Sequence, residues 1–301
     1  MKKFFIISLL FFVMVNLCAA TPEEKTKQFW NLMEKGDMTA TEKYLSEWNK
    51  QAPGEIELYV AYFNYYVVLS KAEQMIVDEN LPPKNVQYMM GKGENGKNVY
   101  IYSKVTYDSK ILKKAYENAD KAISINPERI DIYFGKARMY FESADYTAQA
   151  KLLKNILELN KKNQGKWIWS DNRQFSNQEF IQTIHEYLTM WFNLPEKTPS
   201  LLKQMNEVSL QFVNQFPSQA IANNDAGLSY IFMQDLKSAK EYFIKGYKCD
   251  PNDMLILSNL AYVCRNLGET KEAVNYYNEM INKGSKQYAD FARKQLKSMG
   301  Y

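Results

Sequence analysis

The chain is poor in the residues that build disulfide frameworks and metal sites. Its 301 residues include three cysteines and one histidine. Cys18 lies in the leading segment, and the helical pattern described below places Cys249 and Cys264 about 15 Å apart at a rise of 1.5 Å per residue, beyond disulfide reach. We therefore expect two buried thiols. One imidazole and two distant thiols make a poor metal ligand set, so we predict neither a metal nor a cofactor.

Glycine and proline are also scarce, with 12 and 9 residues respectively. Apolar residues recur at helical spacing along most of the chain, which predicts an all-α protein. The segment Lys110–Pro127 shows this pattern on one stripe, formed by Leu112, Ala115, Ala119, Ala122 and Ile123. Because most of these side chains are small, neighbouring helices can approach closely along the stripe.

The chain lacks both a dense basic run and a second long apolar run. It has 38 Lys and Arg residues against 34 Asp and Glu residues. Nucleic-acid binding depends on many phosphate contacts, so this balance argues against nucleic acid as a partner. No apolar run after the first 20 residues is long enough to cross a bilayer, and we predict no membrane span in the mature chain.

The first 20 residues have the pattern of a secretory signal peptide. Lys2 and Lys3 precede the apolar run Phe4–Val15, and small residues follow at Ala19 and Ala20. This combination of charge, length and small residues predicts cleavage after Ala20. The mature protein is therefore expected in the periplasm or outside the cell.

The residues around the predicted cleavage point support this interpretation. A lipid anchor would need a small residue directly before Cys18, where Leu17 stands. Thr21 as a cap, Pro22 at the first helical position and Glu24 three residues after the cap predict a helix that starts directly after the cut.

A period of 34 residues is visible in the last third of the chain. When the segment Leu257–Tyr277 is shifted back by 34 residues, it falls on Asn223–Phe243 with side chains of matching size. The matches are Ala261 over Gly227, Ala273 over Ala239 and Tyr277 over Phe243, and Pro251 repeats Pro217.

These segments resemble tetratricopeptide repeats. That signature is a helix-turn-helix of 34 residues with small residues at positions 8, 20 and 27, aromatic residues at 11 and 24, and Pro at 32. With Ala220 as position 1, the chain supplies Gly227, Tyr230, Ala239, Phe243, Gly246 and Pro251. The next repeat, from Met254, supplies Ala261, Ala273 and Tyr277 but departs from the pattern with Cys264, Met280 and Ser285.

The resemblance implies an α-solenoid of helix-turn-helix repeats. The chain resembles exported tetratricopeptide proteins of Gram-negative envelopes, a group without a defined activity. The predicted organisation is a signal peptide (1–20), N-terminal repeat-like helices (21–77), a β-hairpin insertion (78–108), degenerate repeats (109–165), an aromatic-rich insertion and helix (166–200), tetratricopeptide repeats (201–285) and a capping helix (286–301).

Local signals support the insertions and two helix starts. In the hairpin insertion, Asn95-Gly96 is a strong turn signal that would set Glu94 opposite Lys97. Capping boxes are predicted at two further places, Thr39 with Glu42 and Ser176 with Glu179.

Two motifs that could indicate catalysis lack the context they need. Gly91–Gly96 reads G-x-G-x-x-G, but a dinucleotide site needs a helix after the motif, and here a second strand is predicted. We therefore interpret the glycines as turn residues. His185, beside Ile184 and Leu188, lacks a neighbouring partner in the sequence. Because catalysis needs a constellation, we predict that the protein is not an enzyme.

The resemblance also implies which residues face a partner. In tetratricopeptide repeats, positions 2, 5, 9, 12 and 13 line the concave face. The residues selected as partner-binding are Asn224, Phe232, Ser258, Tyr262, Arg265, Asn266 and, from a looser repeat, Arg138. A groove with apolar and polar side chains suits an extended or helical peptide, with Tyr262 and Phe232 as anchors.

Our leading hypothesis is an exported scaffold that binds a protein or peptide on this face. The alternative is a glycan-binding accessory protein. It would use Trp167 and Trp169 as an aromatic platform together with the hairpin tyrosines Tyr100 and Tyr102. The same tryptophans could equally fill a gap in the core, since large aromatic residues contribute much buried area.

Overall fold

The computed structural model describes residues 20–82 and 86–301, and these residues form thirteen helices and five strands. The predicted signal peptide lies outside the described residues except for Ala20. The elements in chain order are α1 (Pro22–Glu34), α2 (Met38–Gln51), α3 (Ile56–Ser70), β1 (Lys71–Asp78), β2 (Met89–Lys92), β3 (Asn98–Tyr107), α4 (Ser109–Ile125), α5 (Ile130–Glu142), α6 (Tyr146–Asn163), β4 (Trp167–Ile168), β5 (Gln174–Phe175), α7 (Asn177–Phe192), α8 (Pro199–Gln215), α9 (Ala220–Phe232), α10 (Leu236–Cys249), α11 (Met254–Asn266), α12 (Thr270–Lys283) and α13 (Lys286–Ser298).

The described residues fall into two compact units. The first unit comprises the described part of Met1–Asp145 together with Trp167–Gln174, and the second comprises Tyr146–Lys166 and Phe175–Tyr301. Both consist mainly of helices that pack against their neighbours in sequence. The prediction of an all-α fold with an inserted β-hairpin is therefore confirmed, and the insertion is a small sheet.

Two of the three predicted capping boxes are present. The Thr21 side chain accepts a hydrogen bond from the Glu24 backbone N–H, and the Glu24 carboxylate accepts one from the Thr21 N–H at 2.8 Å. Ser176 and Glu179 form the same reciprocal pair at the start of α7. Each box satisfies two N–H groups that a helix start leaves without intrahelical partners.

The predicted box at Thr39 is wrong. Helix α2 begins at Met38, and the Asp37 carboxylate accepts a hydrogen bond from the Ala40 N–H at 2.9 Å. Gly36 precedes it with a φ of +69°, a conformation that glycine adopts without steric cost. The turn therefore ends at Gly36, and Asp37 rather than Thr39 is the N-cap of α2.

The described part of the first unit contains two apolar clusters. One surrounds Trp48, whose indole N–H donates to the Glu55 carboxylate at 2.6 Å, and the buried Lys25 pairs with the same carboxylate. The other contains the predicted small-residue stripe, with Ala115, Ala119 and Ala122 fully buried. These alanines allow α3 and α4 to pack closely.

The insertion is a three-stranded antiparallel sheet with the order β1-β3-β2. It is larger than the predicted hairpin because β1 follows α3 directly and pairs with β3. The predicted turn register is wrong: Lys97 lies opposite Gly93, whose N–H donates to the Lys97 carbonyl at 2.9 Å. Three residues form the loop, and the last of them, Gly96, has a φ of +76°, as in a turn that ends in a glycine bulge.

The second unit contains the predicted repeats as the helix pairs α9–α10 and α11–α12, followed by α13. Ala239, Ala261 and Ala273 are fully buried, as their repeat positions predict. Gly227 is required for close packing, because a Cβ atom there would lie 2.5 Å from the Phe243 ring. The small residues that recur every 34 positions are therefore required for close packing of the helices.

The two cysteines after the leading segment are free thiols, but only one of them is buried. Cys264 lies in the core of α11, and burial raises its pKa to about 12. The expectation of a second buried thiol is wrong, because Cys249 is exposed. It is the last residue of α10, where the helix end leaves it at the surface.

Candidate partner-binding cleft

A cleft of 490 Å³ opens in the second unit between α11, α12 and α13. It contains four of the residues selected from the sequence. The lining residues are Ser258, Asn259, Tyr262, Arg265, Asn266, Tyr277, Phe291 and Gln295. The last three come from α12 and α13 and were not selected, because the sequence does not show where the closing helix docks.

Helix α11 divides its side chains between the core and the cleft. Ser258, Tyr262 and Arg265 are spaced four and three residues apart, so they lie on one face of the helix. The other face is buried and carries Ile256, Leu257, Leu260, Ala261, Val263 and Cys264. Because the apolar face of α11 is anchored in the core, the face with Ser258, Tyr262 and Arg265 is held toward the cleft.

Arg265 brings a positive charge to the cleft with neutral partners. Its Nη1 donates to the Gln295 Oε1 at 3.1 Å and to the Ser298 Oγ at 3.2 Å. Among the residues described, Arg265 has no ion pair within 4.0 Å. Burial raises the pKa of the Tyr277 phenol, and the nearby charge of Arg265 opposes that shift. The guanidinium is held in place and remains able to bind an anionic group.

Two aromatic side chains supply apolar surface at the same cleft. Tyr262 is 48% exposed and Phe291 is 42% exposed. They are contributed by α11 and α13 respectively. Asn266 is less available, because its side chain donates to the Tyr262 carbonyl of its own helix at 2.7 Å.

Three residues selected from the sequence are not at the cleft surface. Asn224 is only 7% exposed, so little of its side chain is open to a partner. It lies on α9 and accepts a hydrogen bond from Asn259, a cleft residue, at 2.8 Å. Phe232 stacks on Phe192 at 5.7 Å. Arg138 belongs to the first unit, where it pairs with Glu142 on α5.

A partly buried pair of titratable side chains, which sequence spacing does not reveal, lies beside Asn224. The His185 Nδ1 on α7 is 2.9 Å from an oxygen of Asp225 on α9, and Asp225 is 0% exposed. Burial alone would lower the pKa of His185, but the hydrogen bond to Asp225 and the charge of its carboxylate raise the net pKa. Burial raises the pKa of Asp225. The two residues are 40 positions apart, so sequence spacing gives no signal of the contact.

This pair continues as a polar row toward the cleft. Asp225 is also hydrogen bonded to the Asn224 side chain, which is in turn bonded to Asn259. The row therefore connects α7, α9 and α11. A buried network of this kind fixes the relative positions of the helices whose side chains it joins.

The residues of the alternative aromatic platform do not form one. Trp167 is buried and packs edge-on against Tyr133 at 5.8 Å between ring centroids. Trp169 is half-buried, with the Arg173 guanidinium 5.6 Å from its ring. Tyr100 and Tyr102 are half-buried in β3. The glycan-binding alternative gains no support, and Trp167 has the packing role.

The described residues offer neither a metal-ligand cluster nor a membrane-spanning helix. They contain no group of three or more His, Cys, Asp and Glu side chains that could hold a metal ion. No helix in the described ranges is long and apolar enough to span a bilayer. The G-x-G-x-x-G glycines lie in β2 and in the turn before β3, as the turn interpretation predicts.

Comparison with known proteins gives the repeats a family. Residues 220–253 and 256–282 match the model described as Tetratricopeptide repeat. This part of the chain consists of tetratricopeptide repeats. Such proteins are generally non-catalytic scaffolds that bind proteins or peptides, and the match indicates no enzyme family. The cleft lies at the second matched repeat and the helix that follows it.

The chain is also similar to Stress-induced-phosphoprotein 1 of Caenorhabditis elegans, with 25% identity over 193 residues. The match covers 60% of this chain and spans 60% of that curated relative.

Two solved structures show similarity at lower identity. One is a thermophilic TPR protein of Thermus thermophilus, with 15% identity, a TM-score of 0.39, and coverage of 61% of this chain and 90% of that chain. The other is YrrB, a TPR protein with an unusual peptide-binding site. The identity is 13%, the TM-score is 0.37, and the match covers 79% of this chain and 91% of that chain.

Proposed function

We propose that this protein is a non-catalytic scaffold that binds a protein or peptide partner in the cleft between α11 and α13. The observation that carries the proposal is the combination in one cleft of two exposed aromatic side chains and a guanidinium with neutral partners. Peptide sites combine apolar surface for anchoring with a few polar groups that fix orientation.

The cleft chemistry favours a peptide that carries both an apolar side chain and a carboxylate. Tyr262 and Phe291 provide contact area for the apolar side chain. Arg265 is already oriented by Gln295 and Ser298, so little side-chain entropy is lost when it binds. Charge-assisted hydrogen bonds from arginine to carboxylates are stronger than neutral ones. The partner segment is therefore acidic at one position and apolar at its neighbours.

The test compares proteins captured by crosslinking in intact cells. The chain from Thr21 is compared with a double variant, Tyr262→Ala with Arg265→Ala, which removes one wall and the charge of the cleft. The matched control is Tyr301→Ala with Arg293→Ala, which removes the same residue types at exposed positions outside the cleft. We expect the cleft variant to lose a partner that the control retains, because each lost contact costs about 1–3 kcal/mol of binding.

We also propose that the protein is exported and acts in the periplasm or outside the cell. This proposal rests on the basic, apolar and small residues at positions 2–20. Export predicts a mature chain that begins at Thr21. The intact mass of protein purified from its own cells checks this, and a chain that retains residues 1–20 would contradict export.

A further inference from the structure

Among the described residues, β1 lies at an edge of the first unit's sheet with no strand on its outer side. In the register of β1 and β3, Lys71 pairs with Tyr107, and the Asp108 N–H donates to the Ser70 carbonyl at 2.8 Å. Hydrogen-bonded pairs alternate along an antiparallel ladder, so the even-numbered residues of β1 direct their backbone groups toward β3. The groups that point away from the sheet are the N–H and C=O of Glu73, Met75 and Val77 and the C=O of Lys71. The Lys71 N–H instead donates to the Val68 carbonyl at the end of α3.

The side chains of this edge are unusually apolar for their exposure. Met75 is 67% exposed and Val77 is 64% exposed. Both lie on the face of the sheet that also carries Ile101 and Met89, since Ile101 pairs with Val77 on one side and Met89 on the other. An exposed apolar edge strand is a template for pairing with another strand.

β1 is the better candidate of the two edges. It has eight residues, whereas β2 at the opposite edge has four. A longer edge offers more backbone hydrogen bonds. Proteins that avoid edge pairing commonly place lysine or proline in the middle of such a strand, but the middle of β1 reads Gln74-Met75-Ile76.

We propose that β1 pairs antiparallel with β1 of a second copy of this chain, which joins the two sheets into one of six strands. The charges of the strand favour this partner and direction. Lys71 stands at its start and Asp78 at its end, while Glu79, the next residue, already pairs with Lys97. Antiparallel pairing brings the basic start of each copy beside the acidic end of the other, whereas parallel pairing in register would oppose like charges.

A twofold axis perpendicular to the sheet produces this arrangement. Such an axis keeps equivalent faces of the two sheets on the same side, so the apolar row of Val77, Ile101 and Met89 continues on one side of the dimer. The outward N–H and C=O groups of Glu73, Met75 and Val77 and the outward C=O of Lys71 then face the same strand of the other copy. The pairing is independent of the cleft, which lies in the second unit.

Sedimentation velocity of the chain from Thr21 over a range of concentrations tests the proposal. The wild type is expected to form a dimer. In Met75→Pro, the proline removes an N–H that points away from β3, a position that an edge strand tolerates. Symmetry removes the donor twice, so the dissociation constant is expected to rise by at least roughly tenfold. Met75→Thr keeps the N–H and is expected to weaken the dimer less.

A second variant covers the case in which Met75→Pro fails to fold, which circular dichroism would show. Val77→Lys places a charge at the same edge and is also expected to weaken the dimer. A wild type that stays monomeric at every concentration overturns the proposal. So does a dimer that tolerates Val77→Lys and a folded Met75→Pro unchanged, because its interface must then lie elsewhere.

Discussion

At the scale of single residues, the His185–Asp225 pair makes the stability of the second unit sensitive to pH. The pKa of His185 is raised in the folded protein, so the folded state binds protons more tightly than the unfolded state. The contribution of His185 to stability is complete below the ordinary imidazole pKa of about 6.5. It is lost as the pH rises through the raised pKa of the folded protein. The pKa of Asp225 is also raised by burial, so its titration likewise lowers stability as the pH rises, but over a lower pH range.

We therefore expect the free energy of unfolding of the second unit to fall by roughly 1–2 kcal/mol between pH 6 and pH 8.5, because a hydrogen bond between charged groups is replaced by a weaker one. Urea unfolding followed by hydrogen exchange on α7 and α9 measures this. His185→Gln is the control, since His185 is the single histidine of the sequence and glutamine does not titrate. If the wild type and His185→Gln show the same pH dependence, the pair does not act as described.

The His185–Asp225 contact could not be predicted from the sequence. His185 lies on a helix flank, and its sequence neighbours offer no partner. The partner comes from α9, and α8 intervenes in the chain. The burial of Asn224 is hidden for a related reason. Its repeat position predicts the concave face, but its hydrogen bonds go to Asp225 and Asn259.

At the scale of elements, helix starts are set by side chains that reach backbone N–H groups. Asp37 caps α2 through the Ala40 N–H, while Thr39 is already inside the helix and exposed. Replacing Asp37 with Ala is expected to cost about 1 kcal/mol of stability. Thr39→Ala is expected to change stability by less than about 0.5 kcal/mol, as for an ordinary surface site.

Thermal unfolding of the two alanine variants beside the wild type distinguishes these positions. If Thr39→Ala lowers the melting temperature more than Asp37→Ala does, then Thr39 and not Asp37 caps α2.

Helices were easier to predict than the sheet. Thr21 and Ser176 have the complete capping signature, and their helices begin where it predicts. The strand β1 carries no such signal, because it continues from α3 without glycine or proline and its sequence KAEQMIVD has no clean alternation. The Asn95-Gly96 turn was located correctly, but its loop length depends on the pairing of Gly93 with Lys97.

At the scale of the whole molecule, the 34-residue period predicts the solenoid because each small residue permits one close helix contact. Gly227 against Phe243 is such a contact. The period also places Ser258, Tyr262 and Arg265 together on α11. It does not place Phe291 and Gln295, because α13 lies beyond the last repeat. The cleft was therefore predictable on one wall only.

Crosslinking capture with the cleft variant shows most sharply whether the cleft holds a partner. We expect one protein to crosslink to the chain from Thr21 and to the Tyr301→Ala, Arg293→Ala control, and to be lost with Tyr262→Ala, Arg265→Ala. Recovery of the same proteins by all three chains, or of none by any of them, would contradict the assignment of the cleft as the partner-binding site.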